Sequence, residues 1–281
     1  MKTIKSKKEL SSIIAEEKKN KKRIGLVPTM GALHEGHLTL VRRAKDITDC
    51  IVVSIFVNPR QFNNQQDLAT YPRTIENDLL LLEQEGVQYV FLPEDDDIYD
   101  DIENERSFDF GMLDKVMEGT QRPGHFEGVA QIVSRLFDIV QPDCAFFGEK
   151  DFQQLAIIRK MVKDYDYPVR IIPVPIVREP SGLALSSRNQ RLTEEQKTEA
   201  SQIFKTLKQA KKNKRNGASI PETKDYVVQT LNRVPSLEVE YFAIVDAETL
   251  QEVNNWEEAS ECIGCIACYC ASVRLIDNIF F

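Results

Sequence analysis

Five short apolar runs, at residues 23–28, 51–58, 87–92, 143–147 and 169–177, alternate with amphipathic stretches through the first part of this chain. That alternation constrains the fold more than any other feature, because it is the pattern of parallel βαβ units. Between the runs, Leu40, Val41, Ala44 and Ile47 fall at helical spacing, and residues 74–85, 129–140 and 151–164 read as further helices. Pro59, Pro93, Pro142 and Pro168 punctuate the boundaries. The expected fold is α/β, with a doubly wound, Rossmann-like parallel sheet as the N-terminal domain. Such sheets bind ligands at the carboxyl ends of their strands.

The chemically interesting residues collect at those ends. Val27-Pro28-Thr29-Met30 closes one run, Phe56-Val57-Asn58-Pro59 the next, Phe146-Phe147-Gly148-Glu149-Lys150 a third and Ile176-Val177-Arg178 a fourth. After Ser187 the texture changes. A long charged helix is expected over 192–214, a break at 217–221, a second helix over 222–232, and strand-like runs at 237–245 and 262–275. The expected organisation is a domain over 1–176 carrying the active site and a smaller α+β lid domain over 177–281.

Composition narrows the function classes. Hydrophobic residues make up 42% and charged residues 28% of the 281. No apolar run approaches the ~20 residues of a membrane span, and Met1 to Arg23 lacks a signal-peptide core. A cytoplasmic protein is expected, with neither membrane nor nucleic acid as partner, since the net charge is −8 and no basic stripe is visible.

Two of the three histidines lie in Met30-Gly31-Ala32-Leu33-His34-Glu35-Gly36-His37. Gly31 and Gly36 permit close backbone approach to a ligand. A helix opening near His37 aims its free N–H groups and positive dipole end at the turn. His34 and His37 can add charge-assisted hydrogen bonds to phosphate oxygens. In Gly148-Glu149-Lys150-Asp151, the lysine stands where a strand becomes a helix and can neutralise phosphate. Leu185-Ser186-Ser187-Arg188-Asn189 offers two hydroxyls and a guanidinium to a triphosphate, with Gly182 as a candidate hinge upstream. Asn58, Gln61 and Tyr71 suit a small polyhydroxy acid. Arg122-Pro123-Gly124-His125-Phe126 is a turn carrying the third histidine.

Cys262, Cys265, Cys268 and Cys270 are spaced closely enough to suggest zinc or an iron–sulfur cluster. On a strand, however, Cys262, Cys268 and Cys270 share one face and Cys265 takes the other. One strand cannot wrap four thiolates round an ion, so no resident metal is expected and the cysteines read as small buried hydrophobes.

Taken together, VPTMGALHEGH at 27–37, SIFVNPRQF at 54–62, YPRT at 71–74, RPGHF at 122–126, FGEKDFQQL at 147–155, GLALSSRN at 182–189 and RLIDN at 274–278 closely resemble the pantoate–β-alanine ligase family. The strings occur in family order and span most of the chain. The resemblance implies a HIGH-motif nucleotidyltransferase that forms pantoyl adenylate from ATP and pantoate, then pantothenate when β-alanine attacks. It implies magnesium accompanying ATP, and a homodimer formed through the first domain. By match, residues 30–37, 148–151, Val177 and 185–188 contact ATP. His34, His37, Lys150 and Arg188 are its catalytic set, with His37 as proton donor, while Ser186 and Ser187 help grip the phosphates. Gln61 takes pantoate and β-alanine, and Gln154 takes pantoate.

Two departures stand out. Arg60 adds a positive charge beside Gln61, where an apolar or small residue is expected, and bears on pantoate affinity. The cysteine-rich segment replaces aliphatic strand residues. A phosphopantetheine adenylyltransferase shares the His-x-Gly-His string, but the two glutamine strings and the Ser-Ser-Arg-Asn loop favour activation of an acid. An aminoacyl-tRNA synthetase is disfavoured by a short, acidic chain with no tRNA-binding part. A regulatory nucleotide binder without turnover is disfavoured by the intact His34, His37, Lys150 and Arg188.

Overall fold

The computed structural model describes residues 1–99 and 105–281. The strands are β1 (Lys2–Ile4), β2 (Ile24–Thr29), β3 (Cys50–Ile55), β4 (Tyr89–Phe91), β5 (Cys144–Gly148), β6 (Arg170–Val174), β7 (Leu237–Asp246), β8 (Cys262–Cys270) and β9 (Val273–Phe280). The helices are α1 (Lys7–Lys19), α2 (Glu35–Ile47), α3 (Gln65–Ala69), α4 (Ile75–Gln84), α5 (Asp95–Ile98), α6 (Met117–Gln121), α7 (His125–Val140), α8 (Phe152–Asp164), α9 (Glu194–Ala200), α10 (Gln202–Arg215) and α11 (Ile220–Leu231).

The chain divides into two compact units. The first comprises Met1–Phe110, Arg122–Glu149 and Gln154–Pro175; the second comprises Gly111–Gln121, Lys150–Gln153 and Ile176–Phe281. The second unit is thus assembled from three stretches of chain rather than from one C-terminal run.

The first unit is built on a sheet in the order β1-β4-β3-β2-β5-β6, with every pairing parallel. All of β3 is buried, as expected for a strand covered on both faces. β2 lies beside it in register from Ile24↔Cys50 to Thr29↔Ile55. Val27, Val53, Val90 and Phe146 are fully buried in the sheet's core, and Ala44 of α2 and Leu82 of α4 pack into it. The order reverses direction at β2, since β3 follows on one side and β5 on the other. The carboxyl ends of β2 and β5 therefore form the topological switch point where ligands enter such sheets.

The second unit holds an antiparallel sheet in the order β7-β8-β9. Ile203, Leu207 and Ala210 of α10 and Val227 and Leu231 of α11 share its core with Phe242, Ile244 and Ile266. Cys262, Cys268 and Cys270 join that core and Cys265 does not, which matches the strand-face reading. All six cysteines are free. Burial pushes the Cys265 and Cys268 thiols up to about 12, so both hold their protons through neutral pH.

Four expectations need correction. The N-terminal segment contains a strand and a helix that the sequence reading left unassigned: α1 buries only Leu10 and Ile14, so its apolar stripe is too thin to register. α7 begins at His125, four residues before the expected start, with Gly124 at φ 81 turning the chain into it. The helix expected over 192–214 is two helices meeting at Ser201. The run 262–275 is two strands joined by a turn in which Ala271 adopts φ 50. No glycine, proline or asparagine marks that turn.

Candidate active site

The turn after β2 is fixed by an acid that lies outside the matched string. Asp78, on α4 and fully buried, accepts the N–H groups of Ala32 at 2.9 Å and Leu33 at 2.8 Å and the Thr74 hydroxyl at 3.0 Å. Gly31 and Ala32 are both left-handed there, at φ 79 and φ 49. A Cβ on Gly31 would meet Asp78 Oδ2 and Ile55 Cγ2 at 3.0 Å, so glycine fits both the conformation and the space. The turn is therefore built from β2, β3 and α4 together.

It delivers His34 and His37 to the start of α2. The helix begins at Glu35, with His34 as its N-cap. His34 Nδ1 accepts the Gly36 N–H at 3.1 Å, and His37 Nδ1 accepts the His34 N–H at 3.3 Å. This reciprocal capping box satisfies backbone donors that a helix start leaves open. It also assigns the protons: each Nδ1 is an acceptor, so each neutral ring carries its hydrogen on Nε2. The rings lie 4.0 Å apart, centroid to centroid, tilted by 32°. Glu35 pairs with Arg42 on the flank of the helix.

Gln61 sits in a second built cluster. Asn58 Nδ2 donates to Gln61 Oε1 at 3.3 Å and to the Gly128 carbonyl at 2.9 Å. Asn58 Oδ1 accepts from the Tyr99 hydroxyl at 2.8 Å. The direction of this chain leaves the Gln61 amide nitrogen turned away from Asn58, 2.9 Å from Met30 Sδ. The structure thus brings Gln61 and Met30 together. His125 gains a role here that the sequence did not suggest. Its Nδ1 is 2.8 Å from the Gln61 carbonyl and its Nε2 is 3.1 Å from Arg122 Nη1. A carbonyl accepts and a guanidinium donates, so the neutral ring with its hydrogen on Nδ1 satisfies both. Arg60 is committed elsewhere: it pairs with Glu105 and lies 3.8 Å over the Tyr99 ring.

β5 ends at Gly148, where a Cβ would meet nothing within 4 Å. Packing does not require glycine there, and the open space lies at the switch point. Glu149 follows in a 3-10 turn over Glu149–Asp151. Of the two glutamines in this string, Gln153 is structural: it donates to the carbonyls of Leu113 and Val116 and accepts the Glu118 N–H. Gln154 is half-buried, and its side chain makes no hydrogen bond to another described residue. An amide left in that condition suits a ligand.

In the second unit, Lys150 lies 3.6 Å from Asp151 and keeps only 17% side-chain exposure. Lys150, Ala184, Ser186 and Asn189 line one small cavity. Ser186 caps the 3-10 turn Ser187–Arg191 by accepting the Arg188 N–H at 3.3 Å. Ser187 is buried and Arg188 half-buried. Gly182, at φ 98, is the tip of a hairpin closed by hydrogen bonds from Glu179 N–H to Leu183 and from Leu185 N–H to Val177. Val177 and Leu185 are thereby paired in one hairpin, which leads directly into the two serines.

Asp78, Tyr99 and the partners of His125 were missed by sequence reasoning. Asp78 did leave a signal. It lies four residues before Leu82, on the buried stripe of α4, where an acid is out of place unless it holds a specific partner.

Comparison with known proteins bears on this geometry. A family model described as Pantoate-beta-alanine ligase matches residues 2–280. The pantothenate synthetase of Azobacteroides pseudotrichonymphae genomovar. CFP2 is 51% identical over 282 residues, covering 100% of both chains. That of Bacteroides thetaiotaomicron is 50% identical, covering 99% of this chain and 98% of its own. The crystal structure of pantothenate synthetase from Thermus thermophilus superposes with a TM-score of 0.92 at 41% identity, covering 99% of each chain. A pantoate–β-alanine ligase from Francisella tularensis, complexed with βγ ATP and β-alanine, gives 0.84 at 35% identity, covering 99% of this chain and 97% of that one.

Proposed function

This chain belongs to the pantoate–β-alanine ligase family, and we propose that it joins the two acids in two steps through pantoyl adenylate. In the first step a pantoate carboxylate oxygen attacks the α-phosphorus of ATP. A phosphorus–oxygen bond forms there, the bond to the leaving oxygen breaks, and pyrophosphate departs. In the second step the amine of β-alanine attacks the acyl carbon, loses a proton, and releases AMP as pantothenate forms. A carboxylate is a poor electrophile, and adenylation supplies its leaving group. The protein's task is therefore positioning and charge stabilisation.

The observation that carries this reading is the adjacent His34 and His37 rings, held by a reciprocal capping box at a helix start on the sheet's switch point. Two hydrogen-bond donors and a positive dipole end suit an oxyanion that gains charge as pyrophosphate leaves. Met30, Gly31, Ala32, Leu33, Glu35 and Gly36 form the backbone of that cradle. The open space over Gly148 is consistent with nucleotide approach, and Glu149, Asp151, Val177 and Leu185 complete the ATP set. Lys150, Ser186, Ser187 and Arg188 neutralise phosphate. Magnesium travels with ATP as part of that substrate. Gln61 offers its amide nitrogen, and Gln154 its whole amide, to the hydroxyls and carboxylate of pantoate. Residues 177–281 act as a lid, and the working form is a homodimer joined through the first domain. Free buried cysteines suit a reducing compartment, in keeping with the cytoplasm.

The test is pyrophosphate release from ATP and pantoate, with and without β-alanine. Release that depends on pantoate, with pantothenate formed only when β-alanine is added, is expected. Turnover without pantoate would overturn the reading. Gln61→Ala is expected to raise the KM for pantoate about five- to thirtyfold while leaving that for ATP within about twofold, because a pre-aimed amide contributes on the order of 1–2 kcal/mol. Sedimentation analysis tests the dimer.

A further inference from the structure

Arg274-Leu275-Ile276-Asp277-Asn278 closes the series of matched strings, and the chemistry above leaves it unused. The string lies in β9, where Asp277 and Asn278 are each only 5% exposed. Polar side chains so deeply buried require partners. These two find theirs in two different segments of the second unit.

Asp277 receives both terminal nitrogens of Arg178, at 2.6 and 2.8 Å. A two-point fork of this kind fixes orientation as well as adding energy. Arg178 also donates to the Gly182 carbonyl at 3.2 Å and lies 3.5 Å over the Phe204 ring. It therefore clamps the hairpin that runs directly into Ser186, Ser187 and Arg188. Asn278 donates from Nδ2 to the carbonyl of Lys150 at 3.1 Å. Its own N–H donates to Asp277 Oδ1 at 2.7 Å, which ties the neighbouring pair together. Two consecutive residues on one strand thus hold two loops, and Lys150, Ser186 and Asp277 line the same small cavity.

We infer that Asp277 and Asn278 are positioning residues for the ATP phosphates. They set the ammonium of Lys150 and the donors of the 186–188 loop at one fixed separation. The inference rests on the reading of those donors as phosphate ligands. Charged donors held apart at a set distance stabilise a polyphosphate without reorganising when it reacts. Floating on two independent loops, the same donors would have to be gathered at each turnover.

The experiment is pantoate-dependent exchange of labelled pyrophosphate into ATP, using the full-length protein and its Asn278→Asp, Asp277→Asn, Lys150→Ala and Lys150→Ala/Asn278→Asp variants. Asn278→Asp and Asp277→Asn are each expected to raise the KM for ATP about ten- to a hundredfold, as a displacement of roughly 1 Å does. The KM for pantoate should stay within about twofold. Because Asn278 acts through Lys150, the double variant should be no worse than Lys150→Ala, a result that a general loss of stability would not give. Should Asp277→Asn unfold, Arg178→Lys keeps the charge, loses the fork, and is expected to raise the ATP KM in the same direction. An unchanged ATP KM in Asn278→Asp beside a large effect of Lys150→Ala overturns the anchoring. So does a fully multiplicative double variant. An unchanged ATP KM in Lys150→Ala itself removes the phosphate-ligand reading, and the inference with it.

Discussion

Replacing Asp78 by alanine would strand the amides of Ala32 and Leu33 in a buried turn whose backbone is already left-handed at two residues. Each unpaired buried N–H costs about 1–3 kcal/mol. Asp78→Ala is therefore expected to lower unfolding free energy by roughly 2–6 kcal/mol in urea titrations, and to reduce turnover through the misplaced histidines. Stability within about 0.5 kcal/mol of wild type would contradict it. His37→Ala is different. It removes one half of the capping box, at a cost of about 1 kcal/mol, yet it deletes a donor worth about 10²–10⁴ in rate. Normal circular dichroism with an adenylation rate reduced on that scale is expected. His34 and His37 were legible in the sequence, because histidine is scarce and their spacing is distinctive. Tyr99 was not, because it acts on a residue 41 positions away and a contact of that range leaves no local pattern; Asp78 left only the mark of an acid on a buried stripe, with nothing local to name its partners Ala32 and Leu33.

Among elements, those with a strong period were the readable ones. β2, β3 and β5 are short, apolar and bounded by proline or glycine, and α2 carries Leu40, Val41 and Ala44 on one stripe. Reading failed where two like elements meet without punctuation, as at Ser201 between α9 and α10 and at Ala271 between β8 and β9. The second case is instructive, because Ala271 takes a left-handed conformation that alanine adopts at a cost of about 1–2 kcal/mol. Ala271→Gly is expected to raise the unfolding free energy by about 0.5–1 kcal/mol. A lower melting temperature for that variant would show that the turn is held by other means. β8 illustrates the other limit: its cysteines suggested a metal by spacing, and only the parity of a strand argued otherwise.

For the molecule as a whole, burial of thiols links stability to alkaline pH. An unfolded cysteine titrates near about 8.5, whereas Cys265 and Cys268 are pushed up to about 12 in the folded state. Below the unfolded value both states hold the proton, and the full stability is present. Above it the unfolded chain releases protons that the folded chain retains, so stability falls as pH rises towards the folded value. The slope is up to about 1.4 kcal/mol per pH unit for each thiol. Urea titrations at pH 7, 9 and 10 should show the decline, and replacing both cysteines by alanine should flatten it. An unaltered slope would assign the effect to the other buried groups, such as Cys50, which burial pushes up to about 11, and Tyr99, which it raises to about 12.

The interleaving of the two units has a consequence for synthesis. Residues 111–121 belong to the second unit, and Glu118 there is paired with Arg274 at 2.7 Å and bonded to Tyr241 at 2.7 Å. On the ribosome, Glu118 emerges 156 residues before the Arg274 with which it pairs. The second unit is therefore not a continuous C-terminal module, because it needs residues from the middle of the chain. A fragment beginning at residue 177 would present Arg274 and Tyr241 with no Glu118 to receive them. A nascent chain stopped near residue 200 would carry every residue of the first unit, together with two segments, 111–121 and 150–153, that belong to a unit not yet complete.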